Sequence, residues 1–188
     1  YKRQLIAYSG QWTARQVKHL YRRAGFGATQ AQVQQSLSDG LHGTLERLFT
    51  VVSTPEIDRA VRAIIDQARD DEGNASDWGI RRGEIYRMIN SPNQLREKMK
   101  FFLHELYIAS YTAADGDAIF FQEYIDLLRS HAFGNVIALS QAVSNSGLML
   151  RDLDGETNVA GSVNENYARE LMELFALGVG HYTERDVN

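Results

Sequence analysis

Helix punctuation constrains this chain more than any other feature of its 188 residues. Three hydroxyl residues are followed three positions later by glutamine: Thr13 with Gln16, Thr29 with Gln32, and Ser91 with Gln94. At that spacing the hydroxyl accepts one orphan backbone N–H while the amide reaches back to another, which opens a helix. The chain has only two prolines, and both follow a hydroxyl residue, at Thr54-Pro55 and Ser91-Pro92. That is the first helical position, where a missing N–H costs nothing. Gly25, Gly40 and Gly134 stand where helices should stop. Between these signals apolar residues recur at helical spacing, as Ile57, Val61, Ile64 and Ile65, and as Leu95, Met99, Phe102, Leu106 and Ala109. Alternating strand patterns and Asn-Gly hairpin turns are missing.

These signals predict an all-α fold, an irregular multi-helix bundle of about eight helices. They fall near 13–24, 30–39, 55–71, 79–90, 92–112, 117–132, 135–144 and 165–177. The stretch from Asp66 to Ser76 (DQARDDEGNAS) is acidic and carries a glycine, the composition of an exposed linker. The expected organisation is therefore an N-terminal helical lobe over 1–70, an acidic linker at 71–78 and a main helical body over 79–188.

Composition narrows the function classes. A net charge of -4, with acids and bases interspersed, does not make a phosphate-tracking surface, so nucleic acid is not an expected partner. No apolar run approaches the length of a membrane span. The absence of cysteine removes disulfides, thiolate metal sites and a thiol nucleophile together. It leaves the compartment open between cytosol and an oxidising exterior. Tyr1 in place of an initiator methionine gives the expectation of a processed or trimmed start.

The richest segment for chemistry is Asn164 to Val187, NENYARELMELFALGVGHYTERDV. Asn164 is a good N-cap. Tyr167, Leu171, Leu174 and Phe175 make an apolar face that Ala168 and Met172 widen. Gly178 and Gly180 supply strained positions beyond the helix end, and Thr183 with Asp186 opens another helix. The polar side holds Glu165, Arg169 and Glu173 at i, i+4 and i+8, with Asn166 and Glu170 beside them. Such density suggests either a buried structural network around Asn164, Asn166 and Arg169, or a catalytic or metal site on Glu165, Glu170 and Glu173 with His104 or His131 facing them. The Arg169 countercharge favours the network, with a large stability loss expected for Arg169→Ala.

Other constellations are weaker. His104-Glu105 on a helix offers a ligand or base, but a metalloprotease pair needs histidine at 108, where the residue is Ile108. Asp152, Asp154 and Glu156 alternate as in a calcium loop. Counted from Asp152, however, the sixth position is Thr157 rather than glycine and the twelfth is Val163 rather than glutamate. Gly25-Phe26-Gly27 lacks a nucleotide loop's strand and spacing and reads as a helix-to-helix turn. No cofactor is expected; a divalent metal belongs to the alternative reading or to an irregular cation site on Asp152, Asp154 and Glu156.

Five ordered blocks carry a resemblance. NENYAREL with the following ELF, LG and YTE-DV elements, HLYRRAGFGAT at His19 to Thr29, LREKM at Leu95 to Met99 running on to Phe102 and His104, HAFGN at His131 to Asn135, and LMLRDLD at Leu148 to Asp154 together resemble the domain-of-unknown-function 1800 family. Three positions depart from the family pattern: Leu103 stands for its tryptophan, Leu106 for its second histidine, and Val163 for the proline before NENYAREL. The resemblance implies a mostly bacterial, usually exported protein, and hence a periplasmic or extracellular location. It also implies a longer parent polypeptide, of which this is an N-terminal portion, and an exported sulfatase-like neighbour as one possible partner. The helix opened by Thr183 and Asp186 near Asn188 gives the same expectation of a continuing chain or a partner. Two functions follow: a non-catalytic binding or assembly module, which the incomplete catalytic constellations favour, and alternatively a metal-assisted hydrolase on the Glu/Asn/Arg-rich helix.

Overall fold

A computed structural model describes residues 7–69, 76–111, 118–161 and 164–187, without the side chains of 119 and 174. The described residues form helices and no strand. The all-α expectation holds.

Among the described residues ten α-helices follow one another: α1 Ala14–Ala24, α2 Gln30–Phe49, α3 Pro55–Asp66, α4 Asp77–Asn90, α5 Gln94–Leu106, α6 Ala118–Ser130, α7 Val136–Ser144, α8 Gly147–Asp152, α9 Asn166–Glu170 and α10 Glu184–Val187. The capping chemistry acts where it was read at Thr29, whose hydroxyl accepts the Gln32 N–H while the Gln32 amide accepts the Thr29 N–H. Pro55 opens α3 as its first residue. Ser76, Asn135 and Ser146 cap α4, α7 and α8. At Ser91 the expectation fails. α5 starts at Gln94, because Asn93 is committed elsewhere: its amide donates to the Val52 carbonyl and accepts the Val52 N–H, at 2.8 and 2.9 Å. Two complementary bonds to a distant backbone outweigh one local cap.

Gly40 is a second correction. The helix expected to end there resumes after a kink, with Gly40 at φ 70°. The Thr44 hydroxyl donates to the Gly40 carbonyl at 2.6 Å and to the Ser36 carbonyl at 3.2 Å, satisfying acceptors that the kink leaves open. α8 and the three-residue 3-10 turn Gly155–Thr157 were not expected and interrupt the connection to α9.

Three apolar clusters hold the bundle. Val17, Tyr21, Val33 and Leu48 join α1 to α2, with Leu95 of α5 against them. Val61, Ile65, Ile80 and Ala118 join α3, α4 and α6. Leu103, Tyr107, Tyr124, Leu128, Leu139, Val143, Leu148 and Met149 form the largest cluster, against which Tyr167 and Phe175 also pack. α3, assigned by composition to an N-terminal lobe, thus shares its core with α4 and α6. The expected linker at 71–78 falls mostly outside the described residues, and Asp77 already belongs to α4.

α4 and α5 are turned against their apolar patterns. α4 buries Gly79, Ile80, Gly83, Glu84 and Arg87. Trp78, Ile85 and Ile89, at i, i+7 and i+11, point outward and are 63%, 56% and 70% exposed. α5 buries Gln94, Glu97, Lys100 and Leu103, while Phe102 of the expected apolar stripe is mostly exposed.

Candidate functional site

The segment singled out in the sequence folds as a short helix that ends in a π turn. α9 runs into Leu171–Ala176, where the Leu177 N–H donates to the Met172 carbonyl five residues back, at 2.8 Å. The Asn164 side chain accepts the Asn166 N–H at 2.9 Å and its amide donates to the Asp154 carbonyl at 3.1 Å. Tyr167 and Phe175 face the core as expected: the Phe175 ring lies 5.1 Å from Tyr107 and the Tyr167 hydroxyl pairs with Ser144. Gly178 and Gly180 take φ of 85° and 81°. The Asp186 carboxylate accepts from the Thr183 N–H and hydroxyl, which opens α10.

The acid–arginine face is not the buried network expected of it. Arg169 binds the Glu184 carboxylate in bidentate fashion at 2.8 and 3.0 Å and sits 3.7 Å from Glu165. Its side chain is 35% exposed, and those of Glu165 and Glu184 are 39% and 69% exposed. Glu173 accepts the Tyr182 hydroxyl. Removing Arg169 would strand no buried carboxylate, so the large stability loss expected from sequence does not follow from this geometry. The histidines lie elsewhere. His131 Nδ1 is 3.0 Å from the Leu127 carbonyl. His104 packs edge-on against Phe121, with ring centroids 5.8 Å apart. It lines a cleft of about 370 Å³ with Ile80, Ile85, Met88, Phe101 and Ile125, to which none of Glu165, Glu170 or Glu173 contributes. Burial, then the Lys100 ammonium, holds the His104 imidazole below its usual range. Its Nε2 is buried without a hydrogen-bond partner.

The loop carboxylates disperse as well. Asp152 accepts the Ser110 N–H and hydroxyl at 3.2 and 2.9 Å. Glu156 lies 3.6 Å from Arg151, and Asp154 is exposed with φ 55°. Among the described residues no three His, Asp or Glu side chains are grouped to hold a metal ion.

The charge that is buried lies on α4, α5 and α6. Arg129 places both Glu84 oxygens 2.7 and 2.8 Å from Nη2 and donates from Nε to Glu97 at 3.0 Å. Lys100 also pairs with Glu84. Arg87 reaches Asp58 of α3 at 2.5 Å, and Asp126 pairs with Arg129 at the solvent edge. Glu84, Glu97, Lys100, Arg87 and Arg129 are all buried. Burial alone would raise the Glu84 carboxyl, but Lys100 and Arg129 bring it down to about 2. Burial opposes the Arg129 charge, yet the Glu84 and Glu97 carboxylates hold its affinity for the proton above normal. This network was missed in the sequence. Glu84 with Arg87, and Glu97 with Lys100, share helix faces at i, i+3, and Gly79 and Gly83 mark the same inward face of α4, which is the signal that was there to find.

On its α3 side the network floors a second cleft, of about 540 Å³, between α3 and α6. Arg62, Arg87, Arg96 and Arg129 line it beside Gln122 and Glu123.

No curated protein and no solved structure matches the chain. The family described as "Protein of unknown function (DUF1800)" matches residues 19–188, which takes in α2 to α10, the buried network and the NENYAREL helix. The chain belongs to that family.

Proposed function

We propose that this chain is a non-catalytic binding and assembly module of an exported protein, docking a protein partner on the outward apolar face of α4 and α5. One observation carries the reading: Trp78, Ile85 and Ile89 are exposed on one side of α4, and Phe101 of α5, also exposed, lines a cleft together with Ile85. Large apolar side chains left outward on an element that could have turned them inward mark an interaction surface. The inward face is filled instead by paired ions, Glu84 with Lys100 and Arg129, and Glu97 with Arg129. The partner is a segment with an apolar helix face of its own. A further part of the same polypeptide and an exported sulfatase-like protein are the two candidates. No helix among the described residues is long and apolar enough to cross a membrane, so this face does not read as a span. The hydrolase reading has less behind it, because Glu165 and Glu173 are taken by Arg169 and Tyr182.

Photo-crosslinking in cells tests this. Benzoylphenylalanine at positions 85 and 89 should each yield the same protein adduct, identified by mass spectrometry and recovered with the periplasmic or secreted fraction. Position 145, exposed on the α7 C-cap, should yield none. Ile85→Lys should abolish the adduct at 89 without unfolding the chain, since that side chain is already largely in solvent. Equal labelling from all three positions would remove the assignment.

A further inference from the structure

The cleft between α3 and α6 holds polar groups that the fold leaves without partners. Arg87 Nε, Arg96 Nε and Gln122 Oε1 are buried and have no hydrogen-bond partner, and all three side chains line this one cleft. Arg96 comes no closer than 3.9 Å to a carboxylate, that of Glu97, and Arg87 Nε stands 3.9 Å from the Glu84 carboxylate, beyond hydrogen-bond reach. Among the other cations of the cleft, Arg129 is engaged by Glu84, Glu97 and Asp126, Arg87 Nη1 by Asp58 and Arg69 by Asp66. Native interiors satisfy such groups with protein, water or ligand. Two guanidinium N–H donors and one amide acceptor among the lining residues of one cleft specify what is missing. The donors match an oxyanion, and guanidinium is the group best shaped for one. The Gln122 oxygen needs a donor, which a hydroxyl supplies. A volume of about 540 Å³ falls within the range of small-molecule sites, roughly 300–1,000 Å³. Asp58, Asp66, Glu123 and Asp126 also line the cleft, which disfavours a long polyanion but accommodates one carboxylate held at Arg96.

We propose that this cleft binds a small organic anion carrying a hydroxyl group, of the hydroxy-acid or sugar-acid class, with Arg96 and Arg87 on the oxyanion and Gln122 on the hydroxyl. The site goes beyond the assembly reading. Arg87 lies on the inward face of α4, opposite Ile85 and Ile89, so crosslinking there and binding here fail independently.

Calorimetric titration of the whole chain tests it, with L-malate, its deoxy analogue succinate, D-glucuronate and inorganic phosphate as probes. Malate or glucuronate should bind saturably and more tightly than succinate or phosphate. Arg96→Gln should weaken that binding about tenfold or more, and Gln122→Leu should erase the preference for malate over succinate. The nearly isosteric Gln122→Leu keeps the test sharp if Arg96→Gln unfolds. Arg22→Gln, on exposed surface, should change nothing. Absence of saturable binding by both hydroxylated probes, equal losses at Arg22 and Arg96, or a malate-soaked crystal with ordered water only at Arg96 Nε and Gln122 Oε1 would overturn the proposal.

Discussion

Arg129 shows how much a single side chain can hold. It is buried, it contacts Glu84, Glu97 and Asp126, and it joins α6 to α4 and α5. Truncating one member of such a group leaves the others charged in a poor dielectric, so Arg129→Ala should cost about 3–5 kcal/mol. Arg169→Ala should change little by comparison, because its partners keep access to water. Urea unfolding of the two variants side by side checks both. If Arg169→Ala were the more destabilised, the assignment of the buried network to α4, α5 and α6 would be wrong. Acid should act through Glu84. Its folded carboxyl titrates at about 2 against 4.5 for the ordinary group. The folded state therefore holds fewer protons than the unfolded one between those values. The stabilisation is whole above pH 4.5 and is lost as pH falls towards 2, on the order of 3 kcal/mol. Denaturation midpoints measured from pH 7 to pH 2 should show that fall, and Glu84→Gln should start lower at pH 7 and flatten the acid limb.

At the level of the element, α4 explains why the charges face inward. Gly79 and Gly83, four residues apart on one face, let α3 approach closely. A Cβ at Gly79 would lie 2.8 Å from the Ala68 Cβ and 3.3 Å from the Ile65 carbonyl oxygen, and one at Gly83 would lie 3.0 Å from Val61 Cγ1. The face that bears the glycines is the face that docks, and Glu84 and Arg87 go in with it. Ile85 and Ile89 go out for the same geometric reason. Gly79→Ala should gain about 1 kcal/mol of helix propensity and lose more to the forced separation of α3, for a net destabilisation of about 1–2 kcal/mol. A more stable Gly79→Ala in thermal denaturation would mean that α3 and α4 are not so closely apposed. α5 was misread for a related reason. Its stripe of Leu95, Met99 and Leu106 packs only partly, Leu95 on the first cluster and Leu106 on the largest, while Glu97 and Lys100 take the interior. Hydrophobic periodicity reports which face is apolar; it reports burial only when the partner face is apolar too.

Across the whole molecule, what the sequence determined is local. Caps at Thr29, the proline start at Pro55, the turn at Gly25 to Gly27 and the positive-φ glycines at 178 and 180 act within a few residues of themselves, so they could be read before any contact was known. The all-α class follows from them. The ordered blocks from His19 to Val187 likewise carried the family, because a pattern of residues needs no fold to be compared. Burial was decided only by the tertiary structure. Whether Arg169 or Arg129 loses its water depends on which helices close over it, and no property of the NENYAREL helix encodes that α10 supplies Glu184 from the solvent side. The same holds for Asn93, which abandons a local cap for Val52 forty-one positions away in the chain. Close packing of α3 on the glycines of α4, and the mutual neutralisation of ions from three helices, are sums over distant residues. Desolvation depends on all the atoms around a charge, so it is settled when the helices meet and not before.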